Sequence, residues 1–202
     1  GSDGSEVLVN QGTEPITFAR PGRSETGLEM VHNTASWDEG HITAGVIDFD
    51  NDGRQDLYLG GTDYAGNRGH LYRNVSQGNL PQFREVPTTD FFEHNRSHGM
   101  AVSDFDRDGD LDLIVGHSRA RCNANAPNNC YERPQIRLFE NVVGNQNNWV
   151  QLDLEGRLGS NRSAIGAQVT VTAGEHTEVQ QVGGGYGHFG AQTDRVLHFG
   201  LG

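Results

Sequence analysis

Two nine-residue stretches rich in aspartate are the part of this sequence best suited to chemistry. Residues 48–56 read DFDNDGRQD and residues 104–112 read DFDRDGDLD, and we call them the first and second aspartate loops. Each has aspartate at positions 1, 3, 5 and 9, namely Asp48, Asp50, Asp52 and Asp56 in the first loop and Asp104, Asp106, Asp108 and Asp112 in the second. Alternate carboxylates converge when the backbone curls, and Gly53 and Gly109 at position 6 allow a sharp turn. Such crowding of negative charge is unfavourable unless a cation lies among the carboxylates.

The oxygen-rich composition of both loops favours calcium as that cation. Calcium takes six or more oxygen ligands in irregular cages, whereas magnesium keeps several waters and demands a strict octahedron. The backbone carbonyl at position 7, from Arg54 or Asp110, would add one more ligand. An EF-hand would close with glutamate at position 12, but Leu59 and Val115 stand there. We therefore predict two Ca²⁺ sites, each closed by the aspartate at position 9. The alternative is a pair of solvated acidic turns without a metal.

The two loops belong to an internal repeat that predicts how they are held. Residues 44–61 align with residues 100–117, and a strand-like stretch at 70–86 has weaker echoes at 6–18 and 136–146. Apolar residues alternate on both sides of each loop, which indicates short β-strands. A unit of about four short strands is typical of a β-propeller blade. Two such units cannot close a ring, so we expect further blades of the same protein or of another chain to complete it.

The pattern changes at Trp149, where alternating strands separated by glycine-rich turns begin. The stretch WVQLDLEG places Val150, Leu152 and Leu154 on one face, and AQVTVTAG, EVQQVGGG and RVLHFGLG follow. This alternation predicts a small antiparallel β domain. The predicted fold class is therefore all-β, with partial β-propeller blades in residues 1–146 and the small β domain in residues 147–202.

Composition excludes several classes of function. The formal net charge is −12, and an acidic chain is a poor partner for nucleic acid because affinity comes mainly from neutralising phosphates. No apolar run approaches the roughly 20 residues that a membrane-spanning helix needs, so we predict no membrane span. The sequence contains no GxSxG, HExxH or GxxxxGK[ST] motif. We therefore predict no catalytic residues and no cofactor other than Ca²⁺.

Two groups of motifs resemble known families. The stretches DFDNDGRQDLYLGG and DFDRDGDLDLIVGH resemble the FG-GAP or VCBS repeats of integrin-type β-propellers. The C-terminal stretch resembles the ASPIC/UnbV domain through NNWVQL, SNRxxIGA, VTVTAG and the closing LHFGLG. Such domains follow these repeats in bacterial secreted proteins and in the acidic secreted proteins of cartilage. The resemblance implies calcium and a secreted, extracellular or cell-surface location, with the periplasm as an alternative, and it implies no established reaction.

The two cysteines are interpreted in the light of that location. Cys122 and Cys130 are the only cysteines of the chain, and an extracellular setting favours a disulfide between them. Two free thiols are the alternative, and zinc is disfavoured because neither a CxxC motif nor paired histidines lie nearby. His41 and His98 each precede the strand that leads into an aspartate loop. They are either structural histidines or ligands of a metal or small molecule near a propeller axis.

Taken together, these features predict a calcium-binding extracellular module for recognition, adhesion or surface assembly, and not an enzyme. One alternative is a hydrolase or lyase with its site at the propeller centre. Another is a structural subunit of an envelope layer or filament. We expect contacts with further protein along residues 6–18 and the first full repeat, because open sheet edges invite pairing. Self-association is one form that these contacts can take.

Overall fold

The computed structural model describes residues 5–29, 41–64, 66–87, 93–122, 130–185 and 194–202. Nearly all regular structure in these ranges is β, which confirms the predicted all-β class. The strands are β1 (Val9–Asn10), β2 (Phe18–Ala19), β3 (Thr43–Ile47), β4 (Asp56–Gly60), β5 (His70–Asn74), β6 (Phe83–Glu85), β7 (Ser97–Ser103), β8 (Asp112–His117), β9 (Ile136–Phe139), β10 (Trp149–Leu152), β11 (Gln168–Ala173), β12 (His176–Gln181) and β13 (Leu197–Gly200).

Helical structure is limited to two short elements in the described ranges. Helix α1 is a single turn at Arg23–Thr26, and a 3-10 turn spans Gly144–Gln146. No helix in these ranges is long and apolar enough to cross a membrane. The helix ends at Gly27, whose backbone is left-handed and whose N–H bonds to the carbonyl of Arg23.

Each repeat forms a sheet of sequential strands. The first repeat gives a four-stranded sheet in the order β3-β4-β5-β6, and the second gives a three-stranded sheet in the order β7-β8-β9. The pairs β4–β5, β5–β6 and β8–β9 are antiparallel, with Tyr58 opposite Leu71 in the first sheet and Ile114 opposite Leu138 in the second. The first aspartate loop joins β3 to β4, and the second joins β7 to β8. The loops are therefore flanked by strands, as the alternation of apolar residues predicts, because period-2 patterning fits half-buried strands.

The C-terminal strands form two antiparallel pairs, β10 with β13 and β11 with β12. Val182, Leu197 and Phe199 form a buried apolar cluster beside these strands. The side chains of Val150, Leu152 and Leu154 pack against that cluster, so the face predicted to be apolar is the face that is buried. A small antiparallel β structure with one apolar face is what the sequence predicts for this region.

The chain divides into two compact units. The first comprises residues 1–45, 56–98 and 117–135, and the second comprises residues 46–55, 99–116 and 136–202. Leu28, Leu59 and Tyr72 form a buried cluster in the first unit, packed by Val7, Leu57 and Phe83. The second unit contains the C-terminal strands, the second aspartate loop and all of the first loop except Asp56. The predicted domain boundary between residues 146 and 147 stays a prediction.

Candidate metal centres

Both aspartate loops curl around the carboxylate at their first position. Asp48 accepts hydrogen bonds from the N–H groups of Asp52 and Gly53, at 3.1 and 3.0 Å. Asp104 accepts the corresponding bonds from Asp108 and Gly109, both at 3.1 Å. The two glycines have φ values of 81° and 97°. Other residues adopt such left-handed backbone at a cost, so glycine at position 6 is what permits the turn.

The first loop gathers three buried carboxylates. One oxygen from each of Asp48, Asp50 and Asp56 lies within 4.8 Å of the others, and their side chains are 1%, 4% and 1% exposed. Burial above all, together with the charges of Asp52, Asp50 and Glu178, raises the pKa of Asp48 to about 7, although the hydrogen bond from Gly53 lowers it in part. A positive charge among buried carboxylates this close would stabilise their ionised form. The all-oxygen donor set fits calcium, which accepts irregular geometry.

Asp52 lies outside that group of three. Its carboxylate pairs with the guanidinium of Arg54, and its Oδ1 accepts the N–H of the same residue at 2.9 Å. The structure therefore brings together three of the four side chains predicted as ligands in this loop. The role of Asp52, and that of the Arg54 carbonyl, stay predictions.

The second loop gathers a different and more exposed set. One oxygen from each of Asp104, Asp106 and Asp108 lies within 4.8 Å of the others, but Asp106 and Asp108 are exposed and Asp104 is only half-buried. The slight burial of Asp108 would raise its pKa, but hydrogen bonds from Asn145 and Asp110 outweigh it and lower the pKa. Water surrounds much of this group, so it needs a cation less than the first group does.

The aspartates at position 9 also differ between the loops. Asp56 Oδ1 accepts the N–H of Asn74 at 2.6 Å, and its carboxylate still belongs to the acidic group. Asp112 uses both oxygens on backbone, accepting the N–H of Asn141 at 2.8 Å and that of Phe105 at 2.9 Å. It lies outside the acidic group of its loop. Asn74 is the last residue of β5, and Asn141 lies two residues after the end of β9. The shared bond to asparagine therefore ties each loop to the third strand of its repeat or to the residues that follow it, and ligation by Asp112 stays a prediction.

Position 7 of the second loop holds a buried carboxylate. The Asp110 side chain is 0% exposed, and its Oδ2 accepts the N–H of Asn145 at 3.3 Å. Burial raises the pKa of Asp110 to about 7, and the charge of Asp108 adds to that effect. The sequence predicts a ligand at this position from the backbone carbonyl, which stays a prediction.

Hydrogen bonds within the second unit join the loops to residues that are distant in the sequence. No motif indicated these contacts. Asn51, at position 4 of the first loop, donates to the carbonyls of Gly109 and Gly144 at 2.8 and 2.9 Å. His198 Nε2 donates to Asn51 Oδ1 at 2.6 Å, and burial lowers the pKa of His198. Gln151 Nε2 donates to Asp104 Oδ2 at 2.6 Å. The β10–β13 pair is therefore bound to both loops.

A buried glutamate lies beside the first loop. Gln55, at position 8 of the loop, donates its amide hydrogen to the carboxylate of Glu178 on β12. Gln180 donates to the same carboxylate at 2.7 Å. Burial raises the pKa of Glu178, although these two hydrogen bonds lower it in part. The residues are 123 positions apart, so only the folded structure reveals their contact.

The histidines singled out in the sequence lie in the first unit. His41 Nδ1 forms a hydrogen bond with Ser5 Oγ at 2.9 Å, and its ring meets that of His70 edge-on. Burial lowers the pKa of His98. Neither residue belongs to a group of three possible metal ligands among the described residues. Their role as ligands stays a prediction.

The disulfide predicted between Cys122 and Cys130 is present, with the two Cα atoms 6.0 Å apart. Residues 123–129, which lie between the two cysteines, are outside the described residues. Nearby in the first unit, the Tyr131 ring contacts the rings of His94 and His117, with centroids 5.6 and 4.5 Å apart. The disulfide therefore holds the segment between β8 and β9, and Tyr131 of this segment contacts the two histidine rings.

Comparison with known families confirms both resemblances. Residues 48–115 match the model of the FG-GAP-like repeat, and residues 156–202 match the model described as ASPIC and UnbV. The chain is thus similar to an FG-GAP-like repeat over a stretch that includes both aspartate loops, and to the ASPIC/UnbV domain in its C-terminal part.

Three individual relatives match most of the chain. The chain is 30% identical over 163 residues to cartilage acidic protein 1 of Homo sapiens, a match that covers 78% of this chain and 22% of that protein. The proteins of the same name from Mus musculus and Xenopus tropicalis match at 30% identity, with 23% of each covered. The chain therefore spans less than a quarter of the length of these curated relatives.

Proposed function

We propose that the chain is a calcium-binding extracellular module that presents a repeat surface for recognition or adhesion. The observation that carries the calcium proposal is the group of three buried carboxylates from Asp48, Asp50 and Asp56, whose oxygens lie within 4.8 Å of one another. A Ca²⁺ ion would supply the positive charge that favours the ionised form of all three. The FG-GAP-like match over both loops supports the same proposal.

Each loop would hold one ion. In the first loop Asp48, Asp50 and Asp56 would bind it, with Asp52 and the Arg54 carbonyl as further predicted ligands. In the second loop the ion would be held by Asp104, Asp106 and Asp108, with Asp112 and the Asp110 carbonyl as further predicted ligands. The ions would hold the loops in their folded form, and no reaction is assigned to them.

The extracellular location rests on chemistry as well as on likeness. Disulfides persist in oxidising compartments, and the chain has one between Cys122 and Cys130. The most extensive likeness reported above is to proteins named for cartilage and for acidity, and this chain carries a net charge of −12. Neither matched family is described by a reaction, so we propose a binding role and not an enzyme.

The partner proposed for this module is further protein packed on the second repeat. Tyr58 and Leu71 face each other in the first sheet and are 0% and 3% exposed. Ile114 and Leu138 occupy the same positions in the second sheet and are 37% and 46% exposed. Blades of a repeat array bury such faces against their neighbours. We propose that a further repeat, from the same protein or another chain, covers the second face.

Metal counting tests the calcium proposal. The chelated protein is dialysed against millimolar Ca²⁺, and bound calcium is measured by elemental analysis. Two ions per chain are expected, one in Asp50→Ala and one in Asp106→Ala. The double variant is expected to bind none. Stoichiometric calcium in the double variant, or none in the unaltered chain, would contradict the proposal.

Dye binding and light scattering on variants of the second sheet test the partner proposal. Leu138→Ser should lower the binding of an apolar dye and any self-association seen by light scattering, because it removes an apolar group from the second sheet. Leu158→Ser is the matched control, since Leu158 is fully exposed outside every strand. Equal behaviour of the two variants would count against a docking face. Light scattering also separates self-association from a requirement for a different chain.

A further inference from the structure

Strand β12 has an inverted pattern of burial. Glu178 is 8% exposed, whereas its neighbour Val179 is 59% exposed. Val171 on β11 pairs with Glu178 and therefore shares its face, and Val171 packs against the buried cluster of the second unit. A strand in a soluble domain normally turns its valine inward and its glutamate outward. The inversion costs apolar burial and places a carboxylate inside.

The buried carboxylate is only partly satisfied. Gln55 and Gln180 both donate to Glu178 Oε1. Glu178 Oε2 is buried and has no hydrogen-bond partner among the described residues. An ionised oxygen left in this state is costly, since burial disfavours charge that lacks a partner. The charge of His176, an exposed residue two positions earlier on the same strand, also lowers the pKa of Glu178 in part, but burial outweighs it.

The unsatisfied oxygen lies next to the first aspartate loop. Gln55 belongs to that loop and touches the Glu178 carboxylate directly. The negative charge of Glu178 acts on Asp48, the first residue of the loop. A cavity of about 200 Å³ is lined by Asp48, Gln55 and Gln180, among other residues of the second unit. The surroundings are polar and leave space for an ion or for water.

Glu178 lies outside the group of Asp48, Asp50 and Asp56, whose oxygens lie within 4.8 Å of one another. We propose that Glu178, supplied by the ASPIC/UnbV region, is a fourth carboxylate of the first calcium site, acting through its Oε2 and one bound water. This inference rests on the proposed function, because it presumes calcium in the first loop. It explains why a glutamate occupies the inner face of β12. It also makes calcium a link between the repeat region and the C-terminal hairpin β11–β12.

Calcium at the first loop should stabilise the hairpin β11–β12. Without calcium, Glu178 and the aspartates of the first loop repel one another, and this repulsion opposes packing of β12 beside the loop. With calcium, the same charges are attracted to one ion. Calcium should therefore protect the backbone amides of His176–Gln181 from hydrogen exchange.

Calorimetric titration of Glu178→Gln with Ca²⁺ tests the proposal. Glutamine keeps an oxygen for Gln55 and Gln180 but removes the charge, so affinity at the first site should fall at least about tenfold, with the second site unchanged. Glu175→Gln is the matched control, because Glu175 is exposed in the turn of the same hairpin. In the control, both affinities should equal those of the unaltered chain.

Two further readouts separate ligation from a merely structural role. Calcium-free Glu178→Gln should melt no lower than the calcium-free unaltered chain, because an unsatisfied buried charge has been removed. Calcium should slow hydrogen exchange of β12 in the unaltered chain and in Glu175→Gln, but much less in Glu178→Gln. A lower melting temperature with unchanged calcium affinity would overturn the proposal.

The calcium-binding results separate a failure of this inference from a failure of the proposed function. If the unaltered chain binds no calcium, the proposed function fails. If it binds two ions and Glu178→Gln binds them as tightly as Glu175→Gln does, only the inference about Glu178 is overturned.

Discussion

The two aspartate loops share their spacing, their glycine and their backbone turn, yet they differ in surroundings. The acidic group of the first loop consists of carboxylates that are at most 4% exposed, whereas two of the three in the second loop are exposed. The groups also differ in composition, because Asp56 joins the first and Asp112 stays out of the second. The motif therefore determines the turn, while packing of more distant residues determines how strongly each loop needs a cation.

The largest effect is expected from removing charge at position 9. Asp56→Asn should weaken calcium at the first loop by about 100-fold or more, because a buried carboxylate of the acidic group is lost. Asp112→Asn should change calcium affinity at the second loop only a few-fold, since Asp112 serves the N–H groups of Asn141 and Phe105. Titration calorimetry on both variants measures the difference. Equal losses would show that position 9 closes both loops alike.

In calcium-free protein, the free energy of unfolding should depend on pH through the buried aspartates of the two loops. Burial raises the pKa of Asp48 to about 7, so between pH 5 and 7 the folded chain holds a proton that the unfolded chain has released. The contribution of such a group to stability is then highest at the acid end of this window and falls by roughly 1 kcal/mol per pH unit. Asp110, whose pKa is also raised to about 7, adds a second contribution of the same sign. His98 and His198, whose pKa is lowered by burial, contribute with the opposite sign.

Urea unfolding with chelator at pH 5, 6 and 7 measures this slope. Asp48→Asn should remove part of the loss and leave the part that belongs to Asp110. Asp106→Asn, at an exposed position of the second loop, is the control and should keep the full slope. A pH slope of Asp48→Asn that equals the slope of Asp106→Asn would contradict the assigned burial of Asp48.

The smallest effect is expected at the contact between Gln151 and the second loop. Gln151→Ala removes a hydrogen bond to Asp104 at 2.6 Å and should cost about 0.5–1.5 kcal/mol in the free energy of unfolding. Gln168→Ala, at an exposed position of β11, should cost less. Thermal or urea unfolding of the two variants makes the comparison. Equal stability would mean that the contact contributes nothing to the fold.

The features predicted from the sequence are those set by residues near one another in the chain. Alternating apolar residues predict the strands beside each loop, glycine at position 6 predicts the turn, and the two cysteines predict the disulfide, all of which the structure contains. These features depend on local sterics and periodicity, which a single sequence displays.

The surroundings of the loops were beyond prediction because they depend on tertiary contacts. Asn51 meets His198 across 147 positions, and Gln55 meets Glu178 across 123. No spacing rule connects such residues. The sequence of β12 places Glu178 directly before Val179, and from the sequence alone either residue could have faced inward. Packing against Val171 and the first loop decided in favour of the glutamate.

One calorimetric titration of the chelated chain with Ca²⁺ at pH 7.5 tests the central claim most directly. The account predicts two ions bound with unequal affinity. The weaker would bind with a dissociation constant of about 0.1–1 mM, and the tighter well below that range. Asp50→Ala should remove the tighter ion and Asp106→Ala the weaker one. The absence of binding heat, two equal sites, or a tight site that survives Asp50→Ala would contradict the account.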